Sequence, residues 1–167
     1  KSRGQLVDDR LGGQQENYQL IHSATKHGNA NTPYGPVIQR LKLTDDYILE
    51  YVHPCAYFYY LSMICESFSR FINGILDTDG TRPLHIIVYG DEMTPGNPLR
   101  PDEGREAWQW SFSIVEFPNH VLHSQAGWIH ITTIRTSVLN GLTGGVPMLA
   151  KTILHILFLG THNFADG

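Results

Sequence analysis

The chain has little of several features that would assign it to a well-defined class of protein. It has only two cysteines, Cys55 and Cys65, in 167 residues. They form no CxxC pair, so the sequence predicts two buried, reduced thiols in a reducing compartment rather than a disulfide scaffold, a redox pair or a zinc site. The longest apolar stretch, around residues 153–159, is shorter than the roughly 20 residues of a transmembrane helix.

Basic charge is also scarce, with 12 Lys and Arg against 16 Asp and Glu and a net charge of −4. Affinity for nucleic acid comes mainly from neutralising phosphates, so this balance argues against a stand-alone DNA-binding module. It leaves open an acidic site that holds a metal ion and receives DNA with the help of other segments.

Familiar catalytic motifs are missing as well. The sequence contains no Walker phosphate loop, no GxGxxG and no GxSxG nucleophile motif. The nine histidines are scattered, and His120, His123 and His130 have no carboxylate or cysteine at a supporting metal-ligand spacing. The sequence therefore predicts that these three are surface or core histidines.

The remaining composition is typical of a globular domain, with 41% hydrophobic and 11% aromatic residues. Periodicity is weak at the start, which predicts an irregular N-terminal segment over residues 1–36 and a single α/β domain over 37–167. The chain does not begin with Met and ends without completing an element, so we expect a piece of a longer protein, with the domain truncated at its C-terminus. No signal peptide is visible, and we expect a nuclear or intracellular protein that is not secreted.

Hydrophobic periodicity predicts the elements of this domain. In chain order they are a strand over 37–43, a short helical turn that includes 47–49, one helix over 54–76, three strands over 84–93, 106–117 and 127–138, and a final helix over 146–159. Strict alternation in the third of those strands puts Ile129, Ile131, Thr133 and Arg135 on one face. The final helix has an apolar face of Leu149, Ile153, Ile156 and Leu157. The predicted class is α/β, with α+β as the alternative, and three antiparallel strands flanked by helices.

The most informative stretch is residues 85–99. A short apolar run, Ile86–Tyr89, predicts a buried strand that ends on two acids, Asp91 and Glu92. A carboxylate at a strand end is held rigidly at the rim of a sheet, so Asp91 is the candidate catalytic residue, and Asp91 and Glu92 are the candidate metal ligands. Successive strand residues point to opposite faces, so both serve one site only if the strand has ended. Alternatively, both acids are structural and Asp91 forms an Asx-turn.

The following loop, residues 94–102, contains three prolines and one glycine, which makes it unusually rigid. Asn97 and Arg100 are the candidate substrate-binding residues, because either could project toward a phosphate near Asp91. The alternative is a shaped turn between two strands.

Four segments carry a resemblance to a known family. They are Tyr34–Gln39, Ile86–Glu92, Asn97-Pro98-Leu99 and the Phe117-Pro118 pair that closes the next strand. In this pattern the chain resembles the uncharacterised transposon-derived proteins of large eukaryotic genomes, which are similar to RNase H-like transposase cores of the DDE type.

The resemblance implies an incomplete RNase H-like core in which the three strands begin the sheet and residues 146–159 form its first helix. It implies that Asp91 helps to bind Mg²⁺ for attack by water or a 3′-hydroxyl on a DNA phosphodiester. The further carboxylates are expected beyond residue 167, so the chain alone should be inactive.

Two functions are therefore open. The first is the N-terminal part of a transposase-like, metal-dependent DNA nucleotidyltransferase or nuclease from a mobile element, with Mg²⁺ as cofactor and DNA as the partner of the full-length parent. The second is a non-catalytic interaction or structural α/β domain without an active site.

Overall fold

A computed structural model of the protein describes residues 27–78, 84–94 and 106–165. These residues form seven strands, five helices and one 3₁₀ turn. They are β1 (Asn31–Thr32), β2 (Gly35–Pro36), β3 (Ile38–Lys42), β4 (Ile48–Val52), α1 (Pro54–Ile64), α2 (Glu66–Thr78), β5 (Ile86–Met93), β6 (Ala107–Ile114), α3 (Asn119–Leu122), the 3₁₀ turn (Gln125–Gly127), β7 (Ile129–Arg135), α4 (Thr136–Gly141) and α5 (Gly145–Phe158).

The main sheet has the order β5-β6-β7, and both neighbouring pairs are antiparallel. Strands that follow one another in the chain are neighbours in the sheet, as short connections favour. The predicted mixed α/β class and its three antiparallel strands are confirmed. The expectation that β5 is buried is wrong: its residues are half-buried or exposed, because among the described residues it pairs on one side only.

A β-bulge in β7 changes which residues share a face. Trp110 pairs with Thr132 and Ser111 with His130, so Ile131 has no partner on β6. Ile131 and Thr132 are consecutive, yet both are buried against the core. A bulge has this effect because its extra residue shifts the alternation by one position. The alternation predicted for this strand is therefore wrong beyond Ile131, and Thr133 lies on the exposed face with His130.

Helix α5 covers the inner face of the main sheet, which is the face toward the core. Its buried residues are the four predicted for its apolar face, which confirms that prediction. Leu149, Ile153 and Leu157 join one cluster with buried residues from β4, β6, β7 and α4, namely Leu49, Phe112, Ile129, Ile131, Ile134 and Leu139. The core thus lies between the sheet and α5.

The β3–β4 hairpin lies beside β7. Its strands pair antiparallel from Ile38 opposite Val52 to Lys42 opposite Ile48. Leu49 enters the core, and the hydroxyl of Thr132 on β7 donates a hydrogen bond to the Glu50 carbonyl at 2.8 Å. The strand predicted over 37–43 is confirmed as β3. The prediction of a helical turn that includes 47–49 is wrong. Leu49 is buried between exposed Ile48 and Glu50, and this alternation is that of a strand.

The single helix predicted over 54–76 is two helices. Helix α1 ends at Ile64, and Cys65 has an extended backbone with φ −127° and ψ 97°. The Cys65 sulfur lies 3.2 Å from the Ser67 hydroxyl, a contact within the turn that joins the two helices. The apolar stripe continues across the break, so periodicity alone did not reveal it. The Phe58 and Phe68 rings, one from each helix, lie 5.4 Å apart.

Three further predictions concern the remainder of the chain. Cys55 and Cys65 are free thiols, as predicted, although both are half-buried rather than buried. Within the segment predicted to be irregular, β1 and β2 form a two-residue ladder. Across the described parts of the chain, every helix is too short or too polar to traverse a bilayer.

His53 caps the N-terminus of α1 and makes this helix sensitive to pH. Its ring Nδ1 accepts a hydrogen bond from the Ala56 N–H at 3.3 Å, so the cap requires a neutral imidazole. Burial, reinforced by the charge of His162, lowers the pKa of His53 below its ordinary value of 6.5. Because the folded-state pKa is lowered, this contribution to stability is complete above pH 6.5 and is lost as the pH falls toward the folded-state pKa.

A His53→Asn variant tests this dependence, since asparagine retains a capping oxygen and does not titrate. The free energy of unfolding, measured by urea denaturation from about pH 8 to about pH 5, should fall more steeply for the wild type than for the variant. Comparing the two cancels the titration of the other groups. Parallel curves across that range would mean that the cap does not depend on His53 protonation.

Candidate functional site

The outer face of the main sheet, opposite the core, carries mostly polar side chains in cross-strand rows. The strand register gives three such rows: Tyr89–Ser111–His130, Asp91–Gln109–Thr133 and Met93–Ala107–Arg135. Asp91 therefore lies in the middle row, directly opposite Gln109. The bulge in β7 is what brings Thr133 and Arg135 onto this face.

The Asp91 carboxylate is exposed and held from two sides. Its Oδ2 accepts a hydrogen bond from the Tyr89 hydroxyl at 2.8 Å, and its Oδ1 accepts one from the Glu92 N–H at 2.9 Å. The hydrogen bond to Asp91 is also the main cause that raises the pKa of Tyr89, so the phenol remains a donor. Each carboxylate oxygen keeps acceptor capacity for a further partner. Strand β5 ends at Met93, as the predicted strand over 84–93 does, so Asp91 lies two residues before the strand end.

Glu92 lies on the other face of β5. Its Oε1 accepts a hydrogen bond from the Thr136 hydroxyl at 2.5 Å, which links the end of β5 to the start of α4. The structure therefore does not bring Asp91 and Glu92 together, in keeping with the alternation of strand residues. Asn97 and Arg100, the two predicted substrate-binding residues, lie outside the described residues.

A pocket of about 580 Å³ opens beside Asp91 on the same face. Its lining residues are Tyr89, Gln109, Ser111, Gln125, Trp128 and His130. Partial burial lowers the pKa of His130, so its imidazole is neutral near pH 7, and its Nε2 lies 3.2 Å from the Thr133 hydroxyl. Sequence reasoning missed this pocket, because its residues come from three strands and from the 3₁₀ turn with the residue that follows it, which only the fold brings together.

Arg135 is a second feature that sequence reasoning missed. It is exposed on the outer face of β7, in the row next to that of Asp91 and with β6 between the two residues. The alternation predicted from the sequence did place Arg135 with Thr133. The missing information was the bulge at Ile131, which moves both residues from the face of Ile129 and Ile131 to the outer face.

The described residues supply one carboxylate to a possible metal ion on this face. Within residues 27–78, 84–94 and 106–165 there is no group of three or more His, Cys, Asp or Glu side chains that could hold a metal. Divalent cations such as Mg²⁺ are commonly bound by one or two carboxylates together with substrate phosphates. Asp91 fits such an ion as a single ligand, and the other ligands would come from outside these ranges or from a substrate.

Comparison with known proteins adds no family to these observations. The chain matches no protein-family model, no curated protein and no solved structure.

Proposed function

We propose that the chain is the N-terminal part of an RNase H-like, metal-dependent DNA nucleotidyltransferase or nuclease core from a mobile element, with Asp91 as its first catalytic carboxylate. The observation that carries the proposal is the exposed Asp91 carboxylate on β5, within a sheet of three consecutive antiparallel strands followed by an apolar helix. The motif of residues 86–99 supports the same assignment.

In this function Mg²⁺ would stabilise the charge of a phosphodiester under in-line attack. Asp91 would hold one side of the ion, and the Tyr89 hydroxyl would keep the carboxylate in place through its 2.8 Å hydrogen bond. Arg135, one row away, would contact a DNA phosphate. Because the net charge is −4, most of the affinity for DNA would come from other parts of the parent protein, acting in the nucleus or elsewhere inside the cell.

A non-catalytic interaction or structural domain is the second candidate. It is favoured by the two hydrogen bonds that Asp91 accepts from its own strand, since they give the carboxylate a structural role without any ligand. It is also favoured by the opposite orientation of Glu92, which leaves Asp91 as an isolated acid.

Paramagnetic broadening by Mn²⁺ distinguishes the two functions. We expect low concentrations of Mn²⁺ to broaden the backbone amide signals of residues 89–92 selectively, because Mn²⁺ occupies Mg²⁺ sites with similar oxygen ligands. Asp91→Asn should abolish the effect, since the amide keeps the size of the side chain but loses its charge. Glu92→Gln is the matched control, because its carboxylate lies on the other face and its replacement should leave the broadening unchanged.

Glu66→Gln provides a second control, since Glu66 is an exposed acid at the start of α2. Broadening that is equal at Asp91 and Glu66 would reflect non-specific attraction to surface carboxylates. That result, or an Asp91→Asn spectrum that broadens like the wild type, would favour the non-catalytic domain.

A further inference from the structure

The pocket beside Asp91 has one aromatic wall that is fixed in place. The Trp128 indole N–H donates a hydrogen bond to the Leu122 carbonyl at 3.0 Å, so the ring contributes an aromatic surface rather than a donor. The Tyr89 ring lies against Trp128 with 5.9 Å between centroids and 64° between planes. The preceding residue is also anchored, because the buried Ser113 hydroxyl donates to the Gly127 carbonyl at 2.6 Å.

The other walls are polar and uncharged. Gln109 and Gln125 offer amide groups that both donate and accept, and Ser111 offers a hydroxyl. His130 is neutral near pH 7 because partial burial lowers its pKa. Glutamine amides pair with the edges of bases in two hydrogen bonds, and aromatic rings stack on bases of any sequence. This combination of chemistry suits a flat, polar-edged heterocycle better than an apolar or a charged peptide side chain.

The pocket and Asp91 are directly connected. Tyr89 lines the pocket and donates to the Asp91 carboxylate, and Gln109 is the cross-strand partner of Asp91. A group bound in the pocket would therefore lie next to any phosphate held near Asp91. The volume of about 580 Å³ lies within the usual range for small-molecule sites.

We propose that this pocket binds an unpaired nucleobase, with Trp128 as the stacking surface and Gln109 and Gln125 as partners of the base edge. The proposal rests on the proposed function, because it assigns the base to a DNA strand whose phosphodiester lies at Asp91. The parent would then act on a strand with a base that is single-stranded or turned out of the duplex beside the reacting phosphate.

The test is an NMR titration of the chain with a five-nucleotide single-stranded DNA in EDTA, so that no metal contributes. An otherwise identical oligonucleotide with an abasic centre retains the phosphates and removes one base. We expect the Trp128 indole N–H signal and the Gln109 and Gln125 side-chain amide signals to shift with the intact strand. Removal of the base should weaken binding roughly tenfold, the effect of losing one stacking contact. Equal binding of the two oligonucleotides would overturn the proposal.

Two substitutions locate the binding on the protein. Gln125→Leu changes an exposed residue of the 3₁₀ turn, so the fold should persist while affinity for the intact strand falls several-fold. Trp128→Phe preserves an aromatic ring but not the hydrogen bond to Leu122, and it should retain part of the base-dependent affinity. Unchanged affinity in Gln125→Leu, together with an unshifted Trp128 signal, would place the base elsewhere and refute the assignment.

Asp91→Asn separates this proposal from the proposed function. Selective Mn²⁺ broadening in the wild type that Asp91→Asn abolishes, with base-dependent binding retained in the variant, supports both. Base-independent binding by a wild type that shows selective Mn²⁺ broadening overturns the nucleobase pocket alone. Base-dependent binding by a wild type that shows no selective broadening supports the pocket and rejects metal-dependent chemistry at Asp91.

Discussion

Leu157→Ala is expected to lower the free energy of unfolding by about 2–5 kcal/mol, the usual cost of removing a buried leucine side chain. Leu157 has no exposed surface and lies in the core cluster between α5 and the main sheet. The substitution removes apolar contacts and leaves a cavity, because the close-packed side chains around it relax only in part. Helix propensity does not contribute to the loss, since alanine is the better helix former.

Leu154→Ala on the same helix is the matched control. Leu154 lies three residues earlier with 47% of its surface exposed, so its truncation should change the free energy of unfolding by less than about 1 kcal/mol. Urea denaturation of the two variants beside the wild type measures the difference. Equal losses at the two positions would contradict the packing of α5 against the sheet, because only that packing makes the two leucines unequal.

The apolar face of α5 was predicted correctly and the single helix over 54–76 was not, and both outcomes have one physical origin. A long helix packed on a core repeats its apolar positions over several turns, so Leu149, Ile153, Ile156 and Leu157 indicate both its type and its buried face. A break at one residue, such as Cys65, leaves the repeat on either side intact. The bulge at Ile131 also involves one residue, and it depends on how β7 pairs with β6. The bulge depends on tertiary pairing and the break lies at a single turn, and the apolar repeat of the sequence reveals neither.

The candidate site likewise contains residues that could be predicted from the sequence and residues that could not. Asp91 could be found from the sequence because an apolar run followed by acids is a local signal. Gln109, Trp128 and His130 could not, since they join Asp91 only through strand pairing and a turn that folds over the sheet. The role of Glu92 was predictable in outline, because alternation along a strand separates neighbouring side chains. Its hydrogen bond to Thr136, 44 residues away, was not.

Gly90→Ala is expected to destabilise the fold by about 1–3 kcal/mol and to disturb the adjacent Asp91. The cause is Trp110, which pairs with Gly90 across the sheet. A β-carbon at position 90 would lie 2.8–2.9 Å from three atoms of the indole ring, closer than such atoms approach in proteins. Trp110 packs against the core, so its ring has little freedom to move away. Relief would come from a shift of β5, and Asp91 is the next residue along that strand.

Gly141→Ala is the matched control, because a β-carbon at Gly141 would have no neighbour within 4 Å. This variant should be as stable as the wild type within about 0.5 kcal/mol. A double-mutant cycle with Trp110→Leu then tests the cause directly. In the leucine background the ring is gone, so Gly90→Ala should cost less than half of its effect in the wild type. The same cost in both backgrounds would show that the indole ring is not what requires glycine at position 90.

If the ring is the cause, selective Mn²⁺ broadening of residues 89–92 should weaken in Gly90→Ala and recover in the double variant, because the position of Asp91 depends on the same strand.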